Sequence, residues 1–149
     1  MPIGEFCNRE VVVTRRDAGI ADAARLMREH HVGDLVVVDE SAGAPVPVGI
    51  VTDRDLVVEV LAAAVDPGSL TVGDVMNERL LTGNDRDGVW DSLQRMRTQG
   101  VRRMPIVDPA GHLVGMITVD DLLELLAGEF KDLVTLVNRE QARERAARR

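Results

Sequence analysis

One run of residue types that could do chemistry occurs twice. Gly49-Ile50-Val51-Thr52-Asp53-Arg54-Asp55 returns as Gly115-Met116-Ile117-Thr118-Val119-Asp120-Asp121, a Gly-apolar-apolar-Thr-x-x-Asp pattern in both places. Glycine after a strand lets a ligand approach the backbone closely. Threonine at the turn into a helix caps that helix or donates its hydroxyl proton to a phosphate oxygen. The uncapped N–H groups of a helix start attract anions. The aspartate three residues on lies one helical turn away, and its carboxylate suits the two vicinal hydroxyls of a ribose. The ligand-free alternative is a Thr-x-x-Asp capping box, which needs only the helix itself.

The elements that must position these residues also repeat. Asp22, Met27, Val32 and Asp39 return 69 residues later as Asp91, Met96, Val101 and Asp108. After the strand-to-strand turn the offset is 66 residues, because Asp39 to Gly49 spans ten positions and Asp108 to Gly115 seven. Such an internal repeat is read before any single residue. In the first copy, residues 10–13 read as a short strand and Asp17 as a helix N-cap. Ile20, Ala24 and Met27 form one helical face, and Gly33 stops that helix. Leu35 to Val38 reads as a buried strand, Ser41 to Pro47 as a turn and Val48 to Val51 as the next strand. A helix from Asp53 to about Ala64 follows, with Leu56, Val57, Val60 and Leu61 on one face. The second copy repeats this order, with Val89, Leu93 and Met96 on its helical face. The fold class is α/β (α+β): two β-α-β-β-α repeats, at residues 7–65 and 75–127, with a linker at 66–74. A separate C-terminal helix occupies 128–149. Phe130, Leu133, Val134 and Val137 give it an apolar stripe, and its end is charged and solvated.

Bulk properties narrow the function. The net charge of −7 argues against general phosphate attraction to nucleic acid, and the stacking aromatics of a single-strand binder are missing. One cysteine, Cys7, excludes an internal disulfide and a cysteine-based zinc site. Apolar stretches are too short to span a membrane, and the N-terminus lacks a signal-peptide pattern. A cytoplasmic location is the expectation.

A β-α-β-β-α unit in tandem, each copy carrying Gly-apolar-apolar-Thr-x-x-Asp, resembles the CBS (cystathionine β-synthase) domain pair. The resemblance covers residues 7–127 and is supported by Val75-Met76 and by Val101-Arg102-Arg103-Met104-Pro105-Ile106-Val107-Asp108. It implies a regulatory module that binds an adenosine-containing ligand in clefts between the copies. AMP is the first choice, with ATP, ADP, S-adenosylmethionine or NAD(H) as the others, and no further cofactor or metal is required. It also implies a homodimer, head-to-head or head-to-tail, and a regulated protein partner.

The resemblance further implies two unequal clefts. The cleft expected to be stronger uses Thr118 and Asp121 with Asp120, Arg103 toward the phosphate and Met116 on the base. The first copy contributes Cys7, Val12, Val32, Gly33 and Asp34 to it. Asp120 brings a negative charge that counts against di- and triphosphates. The weaker cleft uses Ile50, Thr52, Arg54 and Asp55 with Met76, Leu81, Val101 and Arg102. There Asp34 stands where the other copy has Arg103, and Arg102 crowds the base.

Other candidates carry less. His30 and His31 point in different directions on a helix, and His112 is far along the chain, so a metal site is not expected. Trp90 is expected to pack at a helix start or between the copies. Asp53, Asp55, Asp120 and Asp121 lack a catalytic base, a nucleophile or a phosphate loop nearby, so no enzyme is expected. Against the ligand-sensing reading stands an interaction scaffold whose clefts are vestigial.

Overall fold

The uninterrupted apolar run Leu35 to Val38 becomes the middle strand of a three-stranded sheet, buried on both faces. In the computed structural model, which describes residues 1–148, the strand order is β1 (Val13–Thr14), β2 (Asp34–Ser41), β3 (Ala44–Thr52). β1 pairs parallel with β2, and β3 antiparallel. Alternation along β2 splits the run. Leu35 and Val37 join Ala23, Met27, Val51, Val72 and Met76 in one core cluster. Val36 and Val38 join Met116 in another. The second sheet has the order β4 (Gly83–Asn84), β5 (Arg103–Val107), β6 (Leu113–Thr118), with β4 parallel to β5. The architecture is mixed α+β, with two small sheets and their helices.

Several local expectations shift for identifiable reasons. α1 (Ile20–His30) starts at Gly19, not at an Asp17 cap, and its buried stripe is Ile20, Ala23 and Met27, leaving Ala24 exposed. The helix ends at His31 in the left-handed region (φ 54°), two residues before Gly33. Its counterpart α4 (Val89–Gln99) ends at Gly100 with φ 66°, and Ser92 holds the core position of Ala23. Trp90, on the outer side of α4, is about half exposed (48%), so it does not pack as expected. The expected turn from Ser41 to Pro47 shrinks to Ala42-Gly43, both with positive φ, the two-residue hairpin geometry that matches strand twist. Pro45 and Pro47 lie within β3, an edge strand where a missing N–H is tolerated.

α2 is one turn, Asp53–Asp55, and continues as a π-helical segment, Leu56–Leu61. Only Val60 of that segment is buried. Of the face expected there, Leu56 packs against the first core cluster and Val60 is buried, whereas Val57 and Leu61 are exposed, as is Val58.

The leader of each copy docks on the other copy. Ile3 N and Gly4 N donate to Asp87 O and Asp85 O at 2.8 and 3.0 Å. Sixty-nine residues later, in α3 (Val72–Val75), Val72 N and Gly73 N donate to Ala18 O and Arg16 O, both at 2.8 Å. Ile3 and Val72 are fully buried. The straps that follow repeat the exchange: Asn8 bridges to Met116 and Asn77 to Ile50.

Residues 118–148 form a second unit dominated by α5 (Val119–Ala147), a helix of 29 residues. The helix expected after Gly128 is therefore the continuation of the repeat's last helix. A mid-helix glycine costs about 1 kcal/mol relative to alanine, which the strong helix formers on both sides outweigh.

Candidate functional site

Both Thr-x-x-Asp segments fold as capping boxes. Thr52 N donates to Asp55 Oδ2 at 2.8 Å, and Asp55 N returns a bond to Thr52 Oγ1 at 3.1 Å. Thr118 N and Asp121 Oδ2 lie 2.7 Å apart, with Asp121 N to Thr118 Oγ1 at 3.2 Å. A third box, unnoticed in the sequence, occurs at Thr71 and Asp74. The pattern therefore makes a helix start wherever it stands, and ligand chemistry has to be argued from what surrounds it. The hydroxyls differ. Thr118 Oγ1 donates to Asp121 Oδ2 at 2.7 Å, and Thr71 Oγ1 to Asp74 Oδ2 at 3.1 Å. Thr52 makes no such bond among the described residues, which leaves its proton for another acceptor.

The motif glycines serve the straps. A Cβ on Gly49 would lie 2.9 Å from Met76 Sδ and 3.0 Å from Asn77 O. A Cβ on Gly115 would lie 2.5 Å from Cys7 Sγ and 2.9 Å from Asn8 O. The close approach expected of a ligand is made here by the strap backbone and by Met76 and Cys7.

Within residues 1–117, a cavity of about 420 Å³ opens beside Thr52 and Asp55. Its wall includes Ile50, Thr52, Arg54, Asp55, Leu81, Val101 and Arg102, seven of the eight residues expected there. Met76 is instead buried in the first core cluster. Four lining residues were not anticipated: Asn77, Arg79, Leu80 and Gly100. Asn77 and Arg79 directly follow Met76 on the strap, which was the available signal. The wall thus carries Arg54, Arg79, Arg102 and Arg103 against one carboxylate, Asp55, with Ile50, Leu81 and Val101 as the apolar surface. The volume lies in the range of small-molecule sites, roughly 300–1,000 Å³.

Arg103 is on this wall, although the resemblance assigns it to the other cleft. Its Nη1 lies 2.7 Å from Asp34 Oδ1, with the two side chains 33% and 19% exposed. The N–H does not point along that line, so the contact is an ion pair and not a hydrogen bond. Burial raises the Asp34 carboxyl above its usual value; Arg103 opposes the shift and Asp53 adds to it. Asp53 is close because its N–H donates to Gly33 O at 2.9 Å. Gly33 itself packs under Asp53, whose Oδ2 would be 3.2 Å from a Cβ.

The remaining residues of the Thr118/Asp121 set are placed as follows. Val12 and Val32 line a depression of about 610 Å³ with Asn8, Glu10, Leu26 and His30. Cys7 Sγ lies 3.5 Å from Gly4 O. Met116 is buried against Val36 and Val38. Asp120 and Asp121 sit in the first turn of α5, where negative charge complements the helix dipole. No group of three metal-ligating side chains occurs among the described residues. His112 instead pairs with Asp108 at 3.3 Å across the β5–β6 turn. No described helix is long and apolar enough to cross a membrane.

Comparison with known proteins agrees with the repeat. The chain is 35% identical over 113 residues to CBS domain-containing protein YhcV of Bacillus subtilis, covering 76% of each chain. It is 33% identical over 123 residues to an uncharacterized protein of Methanopyrus kandleri, covering 83% of this chain and 61% of that one. It therefore spans under two thirds of that relative. Among solved structures it is similar to CBSX2 in complex with AMP, with a TM-score of 0.70, 26% identity, and 87% and 98% of the two chains covered. The CBS domain profile matches residues 3–62 and 72–128, one match per copy, so the chain belongs to the CBS domain family.

Proposed function

We propose that this protein is a regulatory CBS module that senses an adenosine-containing ligand, AMP first, and relays its occupancy to a partner protein. The observation that carries this reading is the Thr52/Asp55 cavity with its four arginines. Asp55 Oδ1 takes no hydrogen bond among the described residues and suits a ribose hydroxyl. The Thr52 hydroxyl and the arginines suit the phosphate, and Ile50, Leu81 and Val101 suit the adenine. The AMP complex of the similar CBSX2 supports the choice of ligand. The resemblance ranks the Thr118/Asp121 cleft as the stronger; the cavity described within residues 1–117 is the Thr52/Asp55 one, and binding by variants of both aspartates decides between them. The working unit is a cytoplasmic homodimer, and signalling follows if ligand contacts differ between two arrangements of the protein.

A thermal-shift panel of AMP, ADP, ATP, S-adenosylmethionine and NADH tests the reading. Ligand at 100 times its Kd stabilises by about 2.7 kcal/mol, which for a chain of this size raises Tm by roughly 5–10 °C. No shift with any of the five at millimolar concentration leaves the scaffold reading in its place.

A further inference from the structure

We infer that α5 pairs with α5 of a second copy of this chain, side by side and antiparallel, along the face that carries Leu126, Phe130, Leu133 and Val137. The inference rests on the reading that the chain works as a dimer and names the surface and its direction. Every described residue from Glu129 to Arg148 is exposed, yet the segment is helical and carries large apolar side chains. Phe130, Leu133 and Val137 are 66%, 59% and 47% exposed. Helices draw most of their stability from packing an apolar face, and from Glu129 on this one has none covered.

The spacing specifies the kind of cover. Leu123, Leu126, Phe130, Leu133 and Val137 follow one another at intervals of three, four, three and four residues. That is the seam of a two-helix coiled coil. Charge sets the direction. Residues 119–132 hold five acids (Asp120, Asp121, Glu124, Glu129, Asp132) against Lys131, and residues 139–148 hold four arginines against two glutamates. Parallel pairing would align acid with acid and arginine with arginine. Antiparallel pairing centred between Lys131 and Asp132 sets Phe130 level with Leu133 of the second copy and Leu126 level with its Val137. The same register brings Glu124 level with Arg139 and Asp120 level with Arg143.

Sedimentation equilibrium and cysteine cross-linking on the full chain test this. The parent is expected to be a dimer at micromolar concentration and Leu133→Glu a monomer that keeps a cooperative thermal transition but loses part of the helix signal at 222 nm. In a Cys7→Ser background, Leu133→Cys is expected to form a disulfide dimer, since the two positions are three residues out of level. Val137→Cys is not, because antiparallel pairing separates the two positions by about 16 Å at 1.5 Å per residue. A monomeric parent overturns both the pairing and the dimer reading. A dimer that survives Leu133→Glu overturns the surface alone. Equal cross-linking of the two cysteine variants overturns the antiparallel direction.

Discussion

Arg103 and Asp34 occupy equivalent positions of the two copies, 69 residues apart, and they meet at 2.7 Å. The duplication has placed opposite charges at one position and the fold has brought the two together. Arg103 also lines the Thr52/Asp55 cavity, so a ligand phosphate there competes with Asp34 for it. Asp34→Asn removes the competitor. A partly exposed ion pair is worth up to about 1 kcal/mol, so AMP binding should tighten by up to about 5-fold. Unchanged affinity in calorimetry counts against a role for Arg103 in binding.

The same pair predicts a pH dependence. Asp34 is already raised above its usual 3.8, and Arg103 is what lowers it. A ligand that draws Arg103 away leaves the carboxyl with a still higher value, so the bound protein holds more proton. Binding should tighten as pH falls toward that raised value, with proton uptake visible as buffer-dependent heat. Asp34→Asn should abolish the uptake. For folding the sign is separate: a raised carboxyl contributes stability that is full below 3.8 and is lost as pH rises through the folded value.

Asp55 and Asp74 offer a matched comparison, because both close a capping box and only Asp55 lines the cavity. Loss of a box should cost each variant about 1 kcal/mol of stability. Asp55→Ala should also weaken AMP binding roughly 10- to 100-fold, the worth of a hydrogen bond to a charged group at about 1.5–3 kcal/mol. Asp74→Ala should bind as the parent does. Asp121→Ala decides between the clefts: a loss there and none at Asp55 restores the Thr118/Asp121 site as the stronger.

The repeat and its β-α-β-β-α element order were legible in the sequence because period and register survive duplication, whereas the cleft residues came only from the family resemblance, and seven of the eight it names beside Thr52 and Asp55 line one cavity. Contacts between copies were not. Nothing in the chain says that position 34 touches position 103, since spacing reports equivalence and not proximity. Met116 and Met76 were named for the positions that the resemblance gives to ligand contacts, and a position says nothing of the core clusters into which both side chains pack. Ser92 was missed on α4 because a hydroxyl at a core position breaks the apolar stripe that locates the face. Gly128 read as a stop because glycine ends helices more often than it sits inside them.

Two glycines should respond oppositely to alanine. At Gly115 the new Cβ meets Cys7 Sγ at 2.5 Å and the Asn8 carbonyl at 2.9 Å, and the backbone contact cannot give cheaply. A loss of about 1–3 kcal/mol is expected, read as a Tm fall of roughly 2–12 °C. At Gly128 nothing lies within 4 Å, and alanine favours the helix by up to about 1 kcal/mol. Circular dichroism at 222 nm should show α5 of Gly128→Ala melting at a higher temperature. A neutral Gly115→Ala would mean that the strap yields.

His31 ends α1 at φ 54° and ψ 42°, where the second copy uses Gly100 at φ 66° and ψ 32°. A side chain in the left-handed region costs about 1–2 kcal/mol, which glycine avoids. Glycine in turn has more freedom to lose on folding, worth up to about 1 kcal/mol. His31 is exposed, so its removal sacrifices no packing. His31→Gly should therefore stabilise by about 0.5–1 kcal/mol, and Gly100→Ala should destabilise by about 1 kcal/mol. Urea titrations with unchanged slope would read both. If His31→Gly destabilises instead, the imidazole contributes something beyond the backbone turn.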